Sequence, residues 1–164
     1  MIFNHVIEKI FMFRIYIFIL FAVCISSTAA GRDLSRSTPH PSLSPLDVVK
    51  IIMNALQKND APSKNHGIRV TFNFASPANK KVTGPVERFV NMVTGPVYGK
   101  MVDHLGAVYE KIKIRGNSAS VDVILKVVSG RFVGFRFLLT KQRDNEFEGT
   151  WMTDSVIPIE VISS

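Results

Sequence analysis

The chain has 164 residues, of which 46% are hydrophobic and 20% are charged, and its net charge at pH 7 is +7. Its basic residues are scattered, and neither a recognition motif nor stacking aromatic residues accompany them, so we predict a solvated basic surface and no nucleic-acid partner. The one cysteine, Cys24, excludes an internal disulfide framework.

The first 30 residues are predicted to be a signal or leader peptide. Lys9 and Arg14 precede an apolar run over residues 15–25, and small residues follow it at 28–30. The run is shorter than the about 20 residues of a membrane-spanning helix, so we expect no stable span in the mature chain. The pattern favours the secretory pathway or an extracellular location.

Residues 31–45 are predicted to be a disordered linker, because they contain Ser, Pro and Arg with little apolar material. Since this acid-poor stretch follows a leader, a two-part plastid address is the alternative destination. Residues 46–164 are of a size that forms one compact domain.

A first helix is predicted to begin near residue 45. Ser44 can cap it, Pro45 fits its first turn, and Asp47 lies near the positive end of its dipole. Apolar residues then recur at helical spacing and form one stripe, which comprises Val48, Ile51, Ile52, Ala55 and Leu56.

A second amphipathic helix is predicted between two Thr-Gly-Pro-Val repeats, which begin at residues 83 and 94. Thr83 is predicted to cap this helix, and Gly95 with Pro96 to end it. The repeat is thus explained by the residues that begin and end the helix. One helical face carries four apolar residues, Val86, Phe89, Val90 and Val93.

Residues 68–75 fit two patterns. Their apolar residues alternate as in a strand, while Ile68, Phe72 and Ala75 also fit a helix. The pattern alone favours a strand.

Several motifs resemble an uncharacterised domain family of bacteria and plants. They include Gly67-Ile68-Arg69, Ala75-Ser76-Pro77-Ala78-Asn79, Thr83-Gly84-Pro85, Glu87-Arg88-Phe89 and Trp151-Met152-Thr153-Asp154-Ser155-Val156. The resemblance covers residues 46 to about 158. That family is similar to the cone-shaped fold shared by nuclear transport factor 2 and ketosteroid isomerase, which implies a helix over 68–75. It implies no functional residue, because the catalytic Tyr and Asp pattern of the isomerases is not visible in this sequence.

After residue 104 the sequence predicts strands. Gly116-Asn117 and Ser129-Gly130 are typical of two-residue hairpin turns, and residues 143–146 form a longer one. The predicted fold class is α+β, with N-terminal helices packed on a curved four-stranded antiparallel meander sheet. The strands are expected at residues 107–115, 118–128, 131–142 and 147–157.

These turns predict the register, pairing residue 112 with 121, 123 with 136, and 136 with 153. Glu110, Arg136 and Thr153 then lie in one row on the helix-covered face, with Val123 between the two charges. Arg136 either forms a structural pair with Glu110 or presents its planar guanidinium to an anionic or carbonyl ligand. In the second case Trp151 lines the apolar wall, and Tyr98 approaches from the helical side.

The opposite, outer face of the sheet is predicted to carry a contiguous apolar patch, larger than monomers usually expose to water. We therefore expect a homodimer formed through this face. The patch comprises Ile124, Val133, Phe135, Phe137 and Met152.

No catalytic or metal-binding motif is evident. His40, His66 and His104 lack metal-ligand spacing and are predicted to be surface residues, so we expect no metal and no cofactor. Three function classes stay open, and enzymatic activity is undecided. The first is non-catalytic binding of a small apolar or anionic ligand, the second a lyase or isomerase acting on a small hydrophobic substrate, and the third a dimer-forming structural or adaptor role.

Overall fold

Helices precede strands along the chain, in a computed structural model that describes residues 38–161. Helices α1 to α4 span Pro45–Gln57, His66–Asn73, Pro77–Thr83 and Val86–Val93, and a 3-10 helix spans Tyr98–Met101. Strands β1 to β4 span Gly106–Arg115, Ser118–Lys126, Phe132–Lys141 and Trp151–Ile159. The predicted α+β class is confirmed. The predicted leader and residues 31–37 of the predicted linker lie outside the described residues, so the localisation stays a prediction.

Helix α1 begins as the sequence predicts. The amide of Asp47 donates to the hydroxyl of Ser44 at 3.2 Å, and the amide of Ser44 donates to the Asp47 carboxylate at 3.0 Å, which forms a capping box. The hydrogen bonds from Ser44 lower the pKa of Asp47. All five residues of the predicted apolar stripe are buried, so this helix contributes a continuous face to the core.

Residues 66–73 form helix α2, so the strand favoured by the alternating pattern is wrong and the helix implied by the resemblance is present. Ile68 and Phe74 are fully buried, while Phe72 packs against Phe89 with ring centroids 5.1 Å apart. The alternating apolar residues therefore lie around a helix that contacts neighbours on more than one side. A short alternating run cannot distinguish such a helix from a strand.

Thr83 does not cap α4, contrary to the prediction. It is the last residue of α3, and its hydroxyl donates to the carbonyl of Asn79 at 2.9 Å. Helix α3 has its own cap, Ser76, whose hydroxyl accepts from the amide of Asn79 at 3.2 Å. The predicted stop after α4 is confirmed, since the helix ends at Val93, just before Gly95 and Pro96.

The four strands form one antiparallel sheet in the order β1-β2-β3-β4, as predicted. The register between β2 and β3 differs from the prediction by one residue, because Val123 lies opposite Phe135. The hairpin loop has three residues between Val127 and Arg131, and Gly130 has a φ of 81° within it. A turn followed by a left-handed glycine adds one residue to a two-residue hairpin. That added residue reverses the two faces of β3.

The register between β3 and β4 also differs, since Arg136 lies opposite Ile157 and not Thr153. The connection runs to Thr150, whose carbonyl accepts from the amide of Gln142 at 2.8 Å, so β4 begins four residues later than predicted. Near Gly116 the predicted pairing of β1 with β2 is correct as far as Lys113, which lies opposite Ser120. A bulge between Glu110 and Lys113 then shifts the register, so that Glu110 lies opposite Asp122 and not Val123.

These registers place Phe135 and Phe137 in the core beneath the helices, where they are 2% and 1% exposed. The prediction that they lie on the outer face is therefore wrong, and so is the apolar patch that contained them. The outer face carries Ile124 beside Val108 and Gly134 across the sheet. Homodimerisation itself stays a prediction.

Among residues 38–161, no helix has both the length and the apolar character needed to cross a membrane.

Candidate functional site

A cavity of about 390 Å³ lies between the helices and strands β3 and β4. Its volume falls within the range of about 300–1,000 Å³ that is usual for small-molecule sites. All four helices and the 3-10 helix contribute to its lining. Most of that lining is apolar, and it includes Ile52, Phe89, Met92, Val93, Phe137 and Val156.

The polar residues of the lining carry hydroxyl, amide or carboxylate groups. They are Thr71, Asn79, Thr83, Tyr98, Thr153, Asp154 and Ser155. Among the described residues, this lining contains no Lys, Arg or His. The cavity therefore offers hydrogen bonds without offering a positive charge.

The backbone of Thr153 joins β4 to the corner between α2 and α3. Its amide donates to the carbonyl of Phe74 at 2.8 Å, and its carbonyl accepts from the amide of Ser76 at 2.9 Å and from Asn79 Nδ2 at 3.1 Å. These three hydrogen bonds fix the position of Thr153 from both sides, next to the parallel bridge between Ala75 and Thr153.

The side chain of Thr153 differs from the other buried hydroxyl groups of the lining. Thr153 is only 5% exposed, and its Oγ1 has no hydrogen-bond partner in the described part of the chain. In contrast, Thr71 donates to the carbonyl of Gly67 at 2.9 Å, and Tyr98 donates to the carbonyl of Val156 at 3.1 Å. A buried hydroxyl without a partner is uncommon and destabilises the ligand-free fold.

Of the five predicted site residues, the structure brings two together at the cavity, Tyr98 and Thr153. Trp151 is buried in the core but does not line the cavity. Arg136 and Glu110 lie on the outer face of the sheet. The prediction that they lie on the helix-covered face is therefore wrong. For Arg136 the cause is the extra loop residue before β3, and for Glu110 it is the bulge in β1.

Arg136 pairs with Asp122, which lies directly across from it on β2. Arg136 Nε lies 2.6 Å from Asp122 Oδ1, and Arg136 Nη2 lies 2.8 Å from Oδ2. The Asp122 side chain is 4% exposed and the Arg136 side chain is 39% exposed. Hydrogen bonding from Arg136 lowers the pKa of Asp122, and the same bond raises the pKa of Arg136. The sequence did not indicate Asp122, because its partner Arg136 was predicted to lie on the face of the sheet that Asp122 does not share.

This ion pair predicts a dependence of stability on acid pH. The folded-state pKa of Asp122 lies below its ordinary value of 3.8, so the pair stabilises the fold above pH 3.8 and loses this contribution as pH falls through the lowered pKa. Arg136→Met removes the hydrogen bonds while Asp122 stays buried, so acid unfolding should begin at a higher pH than in the wild type. Circular dichroism at a series of acid pH values measures this.

Arg131→Met is the matched control, because Arg131 is exposed and its guanidinium hydrogen-bonds only a serine hydroxyl, that of Ser129. Its acid unfolding curve should coincide with that of the wild type. Equal shifts in the two variants would refute a specific role for the Asp122–Arg136 pair.

His40, His66 and His104 do not line the cavity. His104 is 3% exposed, which corrects its predicted surface location, and its Nδ1 lies 2.9 Å from the carbonyl of Met101. Burial is the main cause of its lowered pKa. Within residues 38–161, no group of three or more His, Cys, Asp or Glu side chains could hold a metal ion.

Comparison of the chain with family models, curated proteins and solved structures finds no match. The resemblance to the uncharacterised domain family and to the nuclear transport factor 2 fold therefore stays a prediction.

Proposed function

We propose that this protein binds a small, largely apolar ligand in the cavity between its helices and its sheet, without converting that ligand chemically. The single observation that carries the proposal is Thr153, a residue in the lining of an apolar cavity of about 390 Å³, whose buried hydroxyl has no partner among the described residues. A ligand that bonds this hydroxyl removes the cost of leaving it unpaired.

The chemistry of the lining supports binding more than catalysis. Its two ionisable side chains are Tyr98 and Asp154. The Tyr98 hydroxyl already donates to the carbonyl of Val156, and Asp154 accepts from the hydroxyl of Thr140 at 3.1 Å. General acid–base catalysis requires a group within reach of the substrate that is free to exchange a proton. The lyase or isomerase and the adaptor role remain alternatives that no contact in the cavity favours.

Titration with Nile red, a neutral and largely apolar fluorescent dye, tests the proposal. The wild type should show saturable binding with one dye per chain. Ala78→Phe should weaken this binding at least about tenfold, because Ala78 lines the cavity and a phenyl ring there occupies ligand volume. Ala78 is exposed on α3, a helix without buried residues, so the fold should tolerate the ring.

Lys81→Phe is the matched control, because Lys81 is exposed on the same helix and is not part of the lining. It should bind the dye as the wild type does. Absence of saturable binding by the wild type, or equal affinities for Ala78→Phe and Lys81→Phe, would overturn the proposed function.

A further inference from the structure

We infer that the ligand is a neutral molecule with an acceptor oxygen, such as a ketone, ester or amide carbonyl, and that this oxygen accepts a hydrogen bond from Thr153 Oγ1. The inference rests on the proposed function, because it names the ligand class for the same cavity. In a mostly apolar site, the few polar groups decide which of many apolar molecules binds.

Most hydroxyl protons of the cavity lining already have acceptors. A hydroxyl has one proton to donate, and those of Thr71, Thr83 and Tyr98 already go to backbone carbonyls. Thr153 is buried, and its proton has no acceptor within residues 38–161. Ser155 is half-exposed, so water can satisfy it. Thr153 is therefore the buried hydroxyl that needs an acceptor from a ligand.

The backbone of Thr153 is fixed by its own hydrogen bonds. Its amide and carbonyl are both hydrogen-bonded, and the carbonyl already accepts from two donors, the Ser76 amide and the Asn79 side chain. The backbone that carries this hydroxyl is thus held in place before a ligand arrives. A donor fixed in this way loses little entropy when it binds an acceptor.

The lining disfavours a charged ligand. An anion in this cavity loses its hydration, and no Lys, Arg or His among the described lining residues compensates for it. Asp154, the one acidic residue of the described lining, cannot compensate for an anion either. A cation has only Asp154 as a partner, and that carboxylate already accepts from Thr140. The predicted anionic ligand on Arg136 has no support from this geometry, because Arg136 lies on the outer face with Asp122.

Four naphthalene derivatives substituted at the same ring position test the ligand class. Acetylnaphthalene carries an acceptor carbonyl, ethylnaphthalene lacks it, naphthoate is an anion and naphthylmethylammonium is a cation. Titration calorimetry of the wild type should show that both neutral compounds bind and that both ions bind more weakly than ethylnaphthalene. The preference for the ketone is expressed as the ratio of the ethylnaphthalene Kd to the acetylnaphthalene Kd.

Two variants assign that preference to one atom. Thr153→Val keeps the side-chain shape and removes the hydroxyl, so the ratio should fall about tenfold while ethylnaphthalene binds as before. Thr153→Ser keeps the hydroxyl, so the ratio should stay close to the wild-type value. Thr153→Val should also melt no lower than the wild type, since it removes an unpaired buried hydroxyl.

The results separate the two claims. If none of the four compounds binds, both the proposed function and this inference fail. If both neutral compounds bind but the ratio is unchanged in Thr153→Val, the cavity is a binding site and the role of Thr153 is overturned. Tighter binding of naphthoate than of acetylnaphthalene would overturn the neutral ligand class.

Discussion

Replacing Phe135 with alanine should lower the free energy of unfolding by about 3–5 kcal/mol, the usual cost of truncating a buried phenylalanine. Phe135 is 2% exposed on the helix-covered face of β3, and its ring centroid lies 6.4 Å from that of Tyr98. Truncation removes its apolar contacts and leaves a void that the packed helices cannot fill completely. Urea denaturation followed by circular dichroism measures the change.

Phe132→Ala is the matched control, because Phe132 lies on the same strand but is 60% exposed. Its cost should be within about 0.5 kcal/mol, as for most surface substitutions. The comparison tests the register of β3 directly, since the two-residue hairpin predicted by the sequence puts Phe135 on the outer face. A small cost for Phe135→Ala would contradict the observed register.

Gly67→Ala should destabilise the fold by about 3 kcal/mol or more, the upper end of the cost of overpacking. A Cβ at Gly67 would overlap the carbonyl of Ala55 and lie 3.0 Å from the Cα of Asn59. Both obstacles are backbone atoms at the end of α1 and just beyond it, so α1 and α2 must separate. Helix propensity alone predicts the opposite sign, since alanine is favoured over glycine by about 1 kcal/mol within a helix.

Gly106→Ala is the control for this substitution, because a Cβ there meets no atom within 4 Å. Its effect should stay within about 0.5 kcal/mol. Thermal or urea denaturation of both variants gives the comparison. If Gly67→Ala is as stable as Gly106→Ala, the close approach of α1 and α2 is wrong.

Local signals in the sequence predicted the beginning of α1 and the end of α4. Ser44, Pro45 and Asp47 act within one helical turn, so their meaning does not depend on distant parts of the chain. Pro96 likewise limits a helix by its own backbone geometry. The fold class followed from the order of such signals, because helix patterns precede hairpin patterns along the chain.

The candidate site was predicted only in part, because it depends on strand register. One additional residue in the loop between Val127 and Arg131 moves Arg136 from the helix-covered face to the outer face. Ser129-Gly130 is compatible with both a two-residue and a three-residue loop, so its identity does not fix the register. Tyr98 and Thr153 both line the cavity, although the predicted pairing of β4 was wrong.

The Thr153 hydroxyl could not be recognised from the sequence as unpaired. Threonine on a strand is ordinary, and its hydrogen bonds depend on which acceptors lie nearby after folding. In this chain helix α3 and the α2–α3 corner bond the backbone of β4 at Thr153, while the Thr153 hydroxyl finds no partner among the described residues. Such an arrangement joins residues 74 positions apart, Asn79 and Thr153, and no local motif predicts it.

The location of a bound ligand tests the account most directly. Amide and methyl NMR spectra should be recorded during titration with acetylnaphthalene, and the residues whose signals shift should be mapped. We predict that the signals of Met92, Phe137 and Thr153 shift together and saturate, while those of Val108 and Phe132 on the outer face stay unchanged. Shifts confined to the outer face, with none at Thr153, would contradict the assignment of the cavity as the binding site.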